Sequence, residues 1–307
     1  MSQRASISEK NSTVGRVQGD SASRRTAAMT VMGAIIRGVD RLSPRFGARM
    51  AARVFLTPRR SRLPERERAW LREARPETFT VGRFRLSGHR WSESGDPVLL
   101  VHGWEGRGSQ LGGLALELAR EGLRPISIDL PAHGQSEGAQ TNLVEISQAV
   151  AAMVRHLGRV RGIVAHSFGA AGTTVALREA LPVERLTYLS PAEDFEHYPA
   201  VFSGWLGLPG HLSERMRHSI ERRIGATMAE LRGGLLAPKM RSPLLVVHDE
   251  DDVDVPWKDG RTYVDAWPDA RLLTTRGLGH RRILREPEVL TAVARFMKET
   301  APSEEAA

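Results

Sequence analysis

The 307-residue sequence contains no cysteine. Disulfides and thiolate-held metals are therefore excluded, and a reducing compartment, the cytoplasm, fits the composition. Long apolar runs are missing too. The best candidate, AAMTVMGAII at 27–36, falls short of the 18 or so residues that cross a bilayer. No aromatic–basic interleaving or known nucleic-acid module accompanies the positive charge, so no nucleic-acid partner is expected. Acidic residues are scarce at one end only. Residues 1–90 hold 20 Lys/Arg against 7 Asp/Glu, and the remainder holds 24 against 29. The net charge of +8 therefore belongs to an N-terminal extension, not to the body. Hydrophobic residues at 41% and charged residues at 26% are ordinary for a soluble globular protein.

Residues 1–25 are polar, rich in Ser and Arg and without apolar periodicity, the composition of a disordered tail; 301–307 read as a second, short tail. Between Thr26 and Leu56 two helical stretches are separated at LSPRFG. In the second, Arg45, Arg49 and Arg53 stack on one face, with Phe46, Met50 and Val54 beside them and Ala51 and Phe55 next round. Such a helix packs its apolar side on the protein body with its arginines in water, or makes peripheral contact with an anionic membrane. The helical extension is expected to run through residue 77.

From residue 78 the pattern changes. TFTVGRFRLSGHRW alternates with period two on either side of Gly82, as antiparallel strands do. Six apolar cores follow, at 97–102, 124–130, 162–167, 185–190, 243–249 and 270–275. Helical stretches lie near 109–121, 143–157, 170–181, 259–266 and 286–299. Strands buried on both faces and separated by helices imply an α/β fold, a doubly wound, mostly parallel sheet over about 78–300. Residues 192–240 interrupt the alternation for too long to be a plain connection and are expected to form a helical cap. Phe195, Tyr198, Phe202, Trp205 and Leu206 within it would line an apolar pocket or form the cap's own core.

Ligands of open α/β sheets bind beyond the carboxyl ends of the strands, which directs attention to VRGIVAHSFGAAGTTVALREAL at 160–181. Ser167 stands at a strand-to-helix join. A hydroxyl attacks a carbonyl only when it projects clear of the backbone and a base removes its proton. A sharp turn provides the projection, and small residues two before and two after, Ala165 and Gly169, relieve its crowding. The competing reading is a serine that caps the helix N-terminus. His280, in the glycine-rich GLGHRR after the last strand, is the best-placed base. His166 is expected to point away, and His102 and His133 lie in entrance loops. The orienting acid comes from HDEDDVDVP: Asp252, with Asp251 as rival and Asp249 and Asp254 less favoured. The rest of this charge run reads as solvated surface. It does not fit a calcium loop, because Val253 and Asp254 fall where an oxygen ligand and a glycine are needed. The developing oxyanion needs donors placed in advance. The amides of Phe168 and Trp104 suit that task, and Gly103 allows close backbone approach. GWEGRGSQLGG lacks the spacing of a dinucleotide fingerprint, so no cofactor and no metal are expected.

In order and content, VLLVHGWEG, SIDLPAHGQSEG, VAHSFGAAG, LLVVHDEDDVDVP and GLGHRR resemble the α/β-hydrolase superfamily over roughly 78–300. The resemblance implies a serine hydrolase with Ser167 as nucleophile, His280 as base and then acid, Asp252 as its partner, and oxyanion donors at Trp104 and Phe168. A small-molecule carboxylic ester or thioester is the implied substrate. A membrane-recruited lipase, an acyltransferase and a non-catalytic binding protein are the alternatives. Two departures stand out: Ala165 replaces the usual first glycine of the turn, and Asp249 stands where these proteins often have glycine. His133 is read as structural.

Overall fold

The computed structural model describes residues 27–299. In chain order the first elements are α1 (27–42), α2 (Pro44–Phe55), α3 (Glu65–Arg72), β1 (Arg75–Val81), β2 (Phe84–Arg90) and β3 (Pro97–Val101). Next come α4 (Gly112–Arg120), β4 (Arg124–Ile128), α5 (Leu143–Leu157), β5 (Val160–His166), α6 (Phe168–Ala176) and β6 (Val183–Leu189). The last are α7 (Tyr198–Trp205), α8 (Gly210–Ile224), α9 (Gly233–Leu236), β7 (Leu244–Asp249), α10 (Trp257–Ala266), β8 (Ala270–Thr275), α11 (Gly279–Arg282) and α12 (Pro287–Lys298). Contacts divide these into two compact units: 27–55 with Glu196–Gly225, and Leu56–Phe195 with 226–299. Among the described residues no helix is long and apolar enough to cross a membrane.

The larger unit is an eight-stranded sheet of order β1-β2-β4-β3-β5-β6-β7-β8. β1, β2 and β4 are joined by antiparallel pairings, and every other pairing is parallel. Both β3 and β7 are buried at every position, which is why their sequences read as unbroken apolar runs. The hairpin begins at Arg75, so the strand starts three residues before the expected domain boundary at 78. Residues 57–77 belong to this unit for a further reason. Glu67, 3% exposed, takes two hydrogen bonds from Arg107, at 2.6 and 2.9 Å, and one from Ser109 at 2.6 Å. Such a bidentate buried pair fixes α3 against the loop after β3.

In the smaller unit the break expected at LSPRFG is a single residue, Ser43, held out of helix by Pro44 behind it. α2 buries Gly47, Ala48, Ala51 and Ala52. Of the expected apolar side, Ala51 is fully buried and Phe55 meets Phe202, whereas Phe46 is 62% exposed, under the guanidinium of Arg49. Small residues prevail because the neighbouring backbone lies close. A Cβ on Gly47 would fall 2.6 Å from Cβ of Asp40. Of the insertion's apolar residues, Phe202 packs edge-on to Phe55 at 5.3 Å and Leu206 is buried, while Trp205 is exposed. The first two therefore serve this unit's own core.

Loops after β3 and β4 are tied together by two buried imidazoles. The Leu130 amide donates to Nε2 of His102 at 2.9 Å, so Nδ1 carries the proton and donates to Gly103 O at 2.7 Å. In the same way the Glu105 amide donates to Nε2 of His133, whose Nδ1 donates to Pro131 O. Each ring thus accepts from a backbone amide, which only a neutral imidazole can do. Burial pushes both below the ordinary 6.5, His102 to about 4 and His133 to about 3, the latter with help from His102. Asp129 completes the tie, accepting from the Gly108 and Gln135 amides. As pH falls below about 6.5 the unfolded chain binds protons that these rings exclude, so stability falls toward pH 4. The expected loss is about 1.4 kcal/mol per ring for each pH unit. Urea denaturation at pH 7 and pH 4.5 measures it, with His133→Gln flattening the slope; equal stability of the wild type at the two pH values contradicts the assignment.

Candidate active site

β5 ends at His166, and Ser167 turns the chain into α6 with φ 54° and ψ −124°. This conformation is strained for a side-chain-bearing residue, by about 1–3 kcal/mol. It persists because its surroundings leave no alternative. The Ser167 amide donates to Leu189 O at 2.9 Å, continuing the β5–β6 pairing through the turn. A Cβ on Gly169 would fall 2.3 Å from His102 O, and one on Gly103 would fall 2.9 Å from Cβ of Ser167. Ala165 is fully buried. The Ser167 side chain makes no capping bond to α6, so the reading as a helix cap is excluded.

Asp252 accepts a hydrogen bond from Nδ1 of His280 at 2.8 Å through Oδ2. Its Oδ1 accepts from the amides of Asp254 and Val255, both at 2.9 Å. Burial pushes this carboxyl up. The rings of His248 and His280 and the Val255 amide outweigh burial and hold it well below the usual carboxylate range. Asp251 does not reach His280: exposed, it accepts from the Gly277 amide at 2.9 Å. Asp254 is exposed as well.

The acidic run is only partly the solvated surface that its composition suggests. Asp249 is fully buried. It accepts from the Thr275 hydroxyl at 2.7 Å, the Leu278 amide at 3.0 Å and the Asp251 amide at 3.0 Å. Burial raises its pKa, and these bonds together bring it below the ordinary value. Glu250 pairs with Arg276, and its amide donates to Thr275 O. Asp249, Glu250 and Asp251 therefore grip the loop that carries His280, while Asp252 takes the imidazole itself. The substitution of Asp249 for the common glycine was the visible sign of this clamp.

His166 was misread from the sequence. Its ring does not point away; it lies 4.5 Å from the His280 ring, and its Nε2 donates to His280 O at 3.0 Å. Burial, then the neighbouring His280, pushes its pKa well down, so it stays neutral. His248, also missed, is fully buried, donates from Nε2 to Val255 O, and approaches Asp252 Oδ2 at 3.6 Å. The Trp104 ring stands edge-on to His133 and to Phe168, at 5.2 and 5.7 Å, and Phe168 to Phe195 at 6.0 Å. These rings form an aromatic wall beside the turn. Outside its own element, neither the Trp104 nor the Phe168 amide has a backbone acceptor among the described residues. Phe168 opens α6, so its amide has no partner within the helix. One expected link is not made: the Ser167 hydroxyl has no hydrogen-bond partner among the described residues. His280 is instead tied to His166, the residue that precedes Ser167 in the chain.

The fold recurs among known proteins. A sequence model of the alpha/beta hydrolase family matches residues 98–293, and no curated protein matches the sequence. The fold is similar to that of an esterase from Pyrococcus furiosus, with 19% identity, TM-score 0.60, and coverage of 79% of this chain and 96% of that one. It is similar also to a serine hydrolase involved in carbazole degradation, with 18% identity, TM-score 0.57, and coverage of 73% and 98%. A thermophilic esterase from Thermogutta terrifontis matches with 19% identity, TM-score 0.56, and coverage of 73% and 98%. The order of the strands, the serine turn and the family match agree: the chain belongs to the alpha/beta hydrolase family.

Proposed function

We propose that the protein hydrolyses a small carboxylic ester or thioester through an acyl-serine intermediate. The observation that carries this reading is the 2.8 Å bond from His280 to Asp252, with the His280 ring against His166, the chain neighbour of the uncapped Ser167. In the reaction Nε2 of His280 takes the Ser167 proton as Oγ bonds to the carbonyl carbon. Negative charge passes to the carbonyl oxygen, which the Trp104 and Phe168 amides receive. On collapse the carbon–leaving-group bond breaks, and His280 returns its proton to the departing alcohol or thiol. Water then attacks the acyl carbon while giving a proton to His280, and the carboxylic acid leaves as Oγ is reprotonated. Asp252 keeps the proton on Nδ1 and so leaves Nε2 free to accept.

The scheme does not require a Ser167–His280 bond outside the substrate complex, since catalytic hydrogen bonds commonly tighten only there. The esterases and serine hydrolase of like fold agree with ester chemistry. No cofactor takes part in this scheme. The sequence division into a hydrolase domain at 78–300 interrupted by a cap near 192–240 belongs to the same proposal.

Turnover of p-nitrophenyl esters of graded chain length tests it. Ser167→Ala is expected to lower kcat by at least about 10³-fold, and Asp252→Asn nearly as much. Asp251→Asn is expected to be mild; the reverse ranking of the two would move the acid to residue 251. Asp249→Ala releases the amide of residue 278 and the Thr275 hydroxyl from their acceptor, loosening the His280 loop. A fall in kcat of about tenfold or more is expected, because small displacements of a catalytic group are that damaging. Unchanged kcat would show that the clamp does not position His280.

A further inference from the structure

α1 is apolar on its outer side as well as on its packed side. Val31, Ile35 and Leu42 are 59%, 47% and 90% exposed. At 100° per residue they lie within about 40° of one another along the helix. The opposite side packs within its own unit, through the fully buried Ile36 together with Arg37 and Asp40. Arg37 donates to Leu206 O and Gly207 O, at 3.2 and 2.8 Å. Asp40, 9% exposed, takes contacts from Arg215 and His211. A helix packed through one side ordinarily turns polar residues to the other, so a second, outward apolar stripe marks a binding face.

The charges nearby select the occupant. Residues 27–55 contain five arginines and one acid, and that acid is the buried Asp40. Arg41, Arg45 and Arg49 are exposed, so the segment presents positive charge alone. A second copy meeting the same patch through a two-fold axis would set these arginines against themselves. Residues 1–26 carry five Lys/Arg against two Asp/Glu, so they too repel the face. Anionic lipid supplies both an apolar interior and a complementary charge.

We propose that α1 docks the protein peripherally on an anionic membrane, with Val31, Ile35 and Leu42 entering the interfacial zone. Arg41, Arg45 and Arg49 draw the helix to the lipid phosphates. This inference does not rest on ester hydrolysis; it concerns a surface of the unit that holds none of Ser167, Asp252 and His280.

Co-sedimentation of the full chain with phosphatidylglycerol/phosphatidylcholine vesicles tests it, pure phosphatidylcholine serving as the neutral surface. Binding to the anionic vesicles is expected, weakening as salt is raised. Replacing Arg41, Arg45 and Arg49 together by Gln should reduce it by about 100-fold, since each charge near such a surface supplies about a fivefold effect. Val31→Ser, Ile35→Ser and Leu42→Ser combined should abolish binding while circular dichroism and turnover of a soluble ester stay at wild-type level. Wild-type protein that stays in the supernatant with anionic vesicles overturns the proposal. So does equal pelleting of the triple serine variant. A wild-type dimer in sedimentation velocity that the serine variant converts to monomer assigns the face to a second copy and overturns it too.

Discussion

Everything at the carboxyl end of the sheet is arranged around one hydrogen bond, 2.8 Å between a buried carboxylate on the β7 loop and an imidazole on the β8 loop. A charge out of water is tolerable only with full satisfaction. Asp252 has it, from two amides and His280, with His248 close behind. A hydrogen bond to a charged group is worth about 1.5–3 kcal/mol, so the bond fixes its loops as they fix the bond. The acids before it extend the same logic. Asp249 and Asp251 hold the amides at 278 and 277, so the loop is tied at two points before the ring is reached.

The strain in this region has a common address. Among the described residues four without the freedom of glycine have positive φ: Glu105, Ala132, Ser167 and Ser190. Each lies within four residues of the end of a parallel strand, β3, β4, β5 and β6 in turn. Sharp turns there aim backbone and side chains into the crevice beyond the strand ends, where α/β sheets place their ligands. The neutral rings of His102 and His133 and the carboxylate of Asp129 supply the bonds that hold these turns. Fold and site are thus stabilised by the same contacts, and protonating the two rings weakens both.

Sequence made the sheet legible because its signals are local. Unbroken apolar runs such as 97–101 and 244–249 have one stable solution, a strand covered on both faces. The serine turn was legible for a similar reason, since small residues on either side of Ser167 are a steric demand of the turn itself. What composition hides is direction. Nothing in HDEDDVDVP says that Asp249 is turned inward and Asp251 outward, because both facts depend on a loop 26 or more residues later. His166 was misplaced for the same reason: its partner is the backbone of residue 280. On α2 the eye follows Phe46, but the packed side is glycine and alanine, chosen by a neighbour that periodicity cannot see.

The central claim is that Ser167 is a nucleophile activated from the β8 loop. Treatment of the native protein with a fluorophosphonate, followed by peptide mass spectrometry, addresses it without knowledge of the substrate. The account predicts a single phosphonyl adduct on the peptide containing Ser167, formed in the wild type and slowed when His280 is replaced by Gln. An unmodified wild-type protein, or an adduct on another residue with Ser167 untouched, contradicts it.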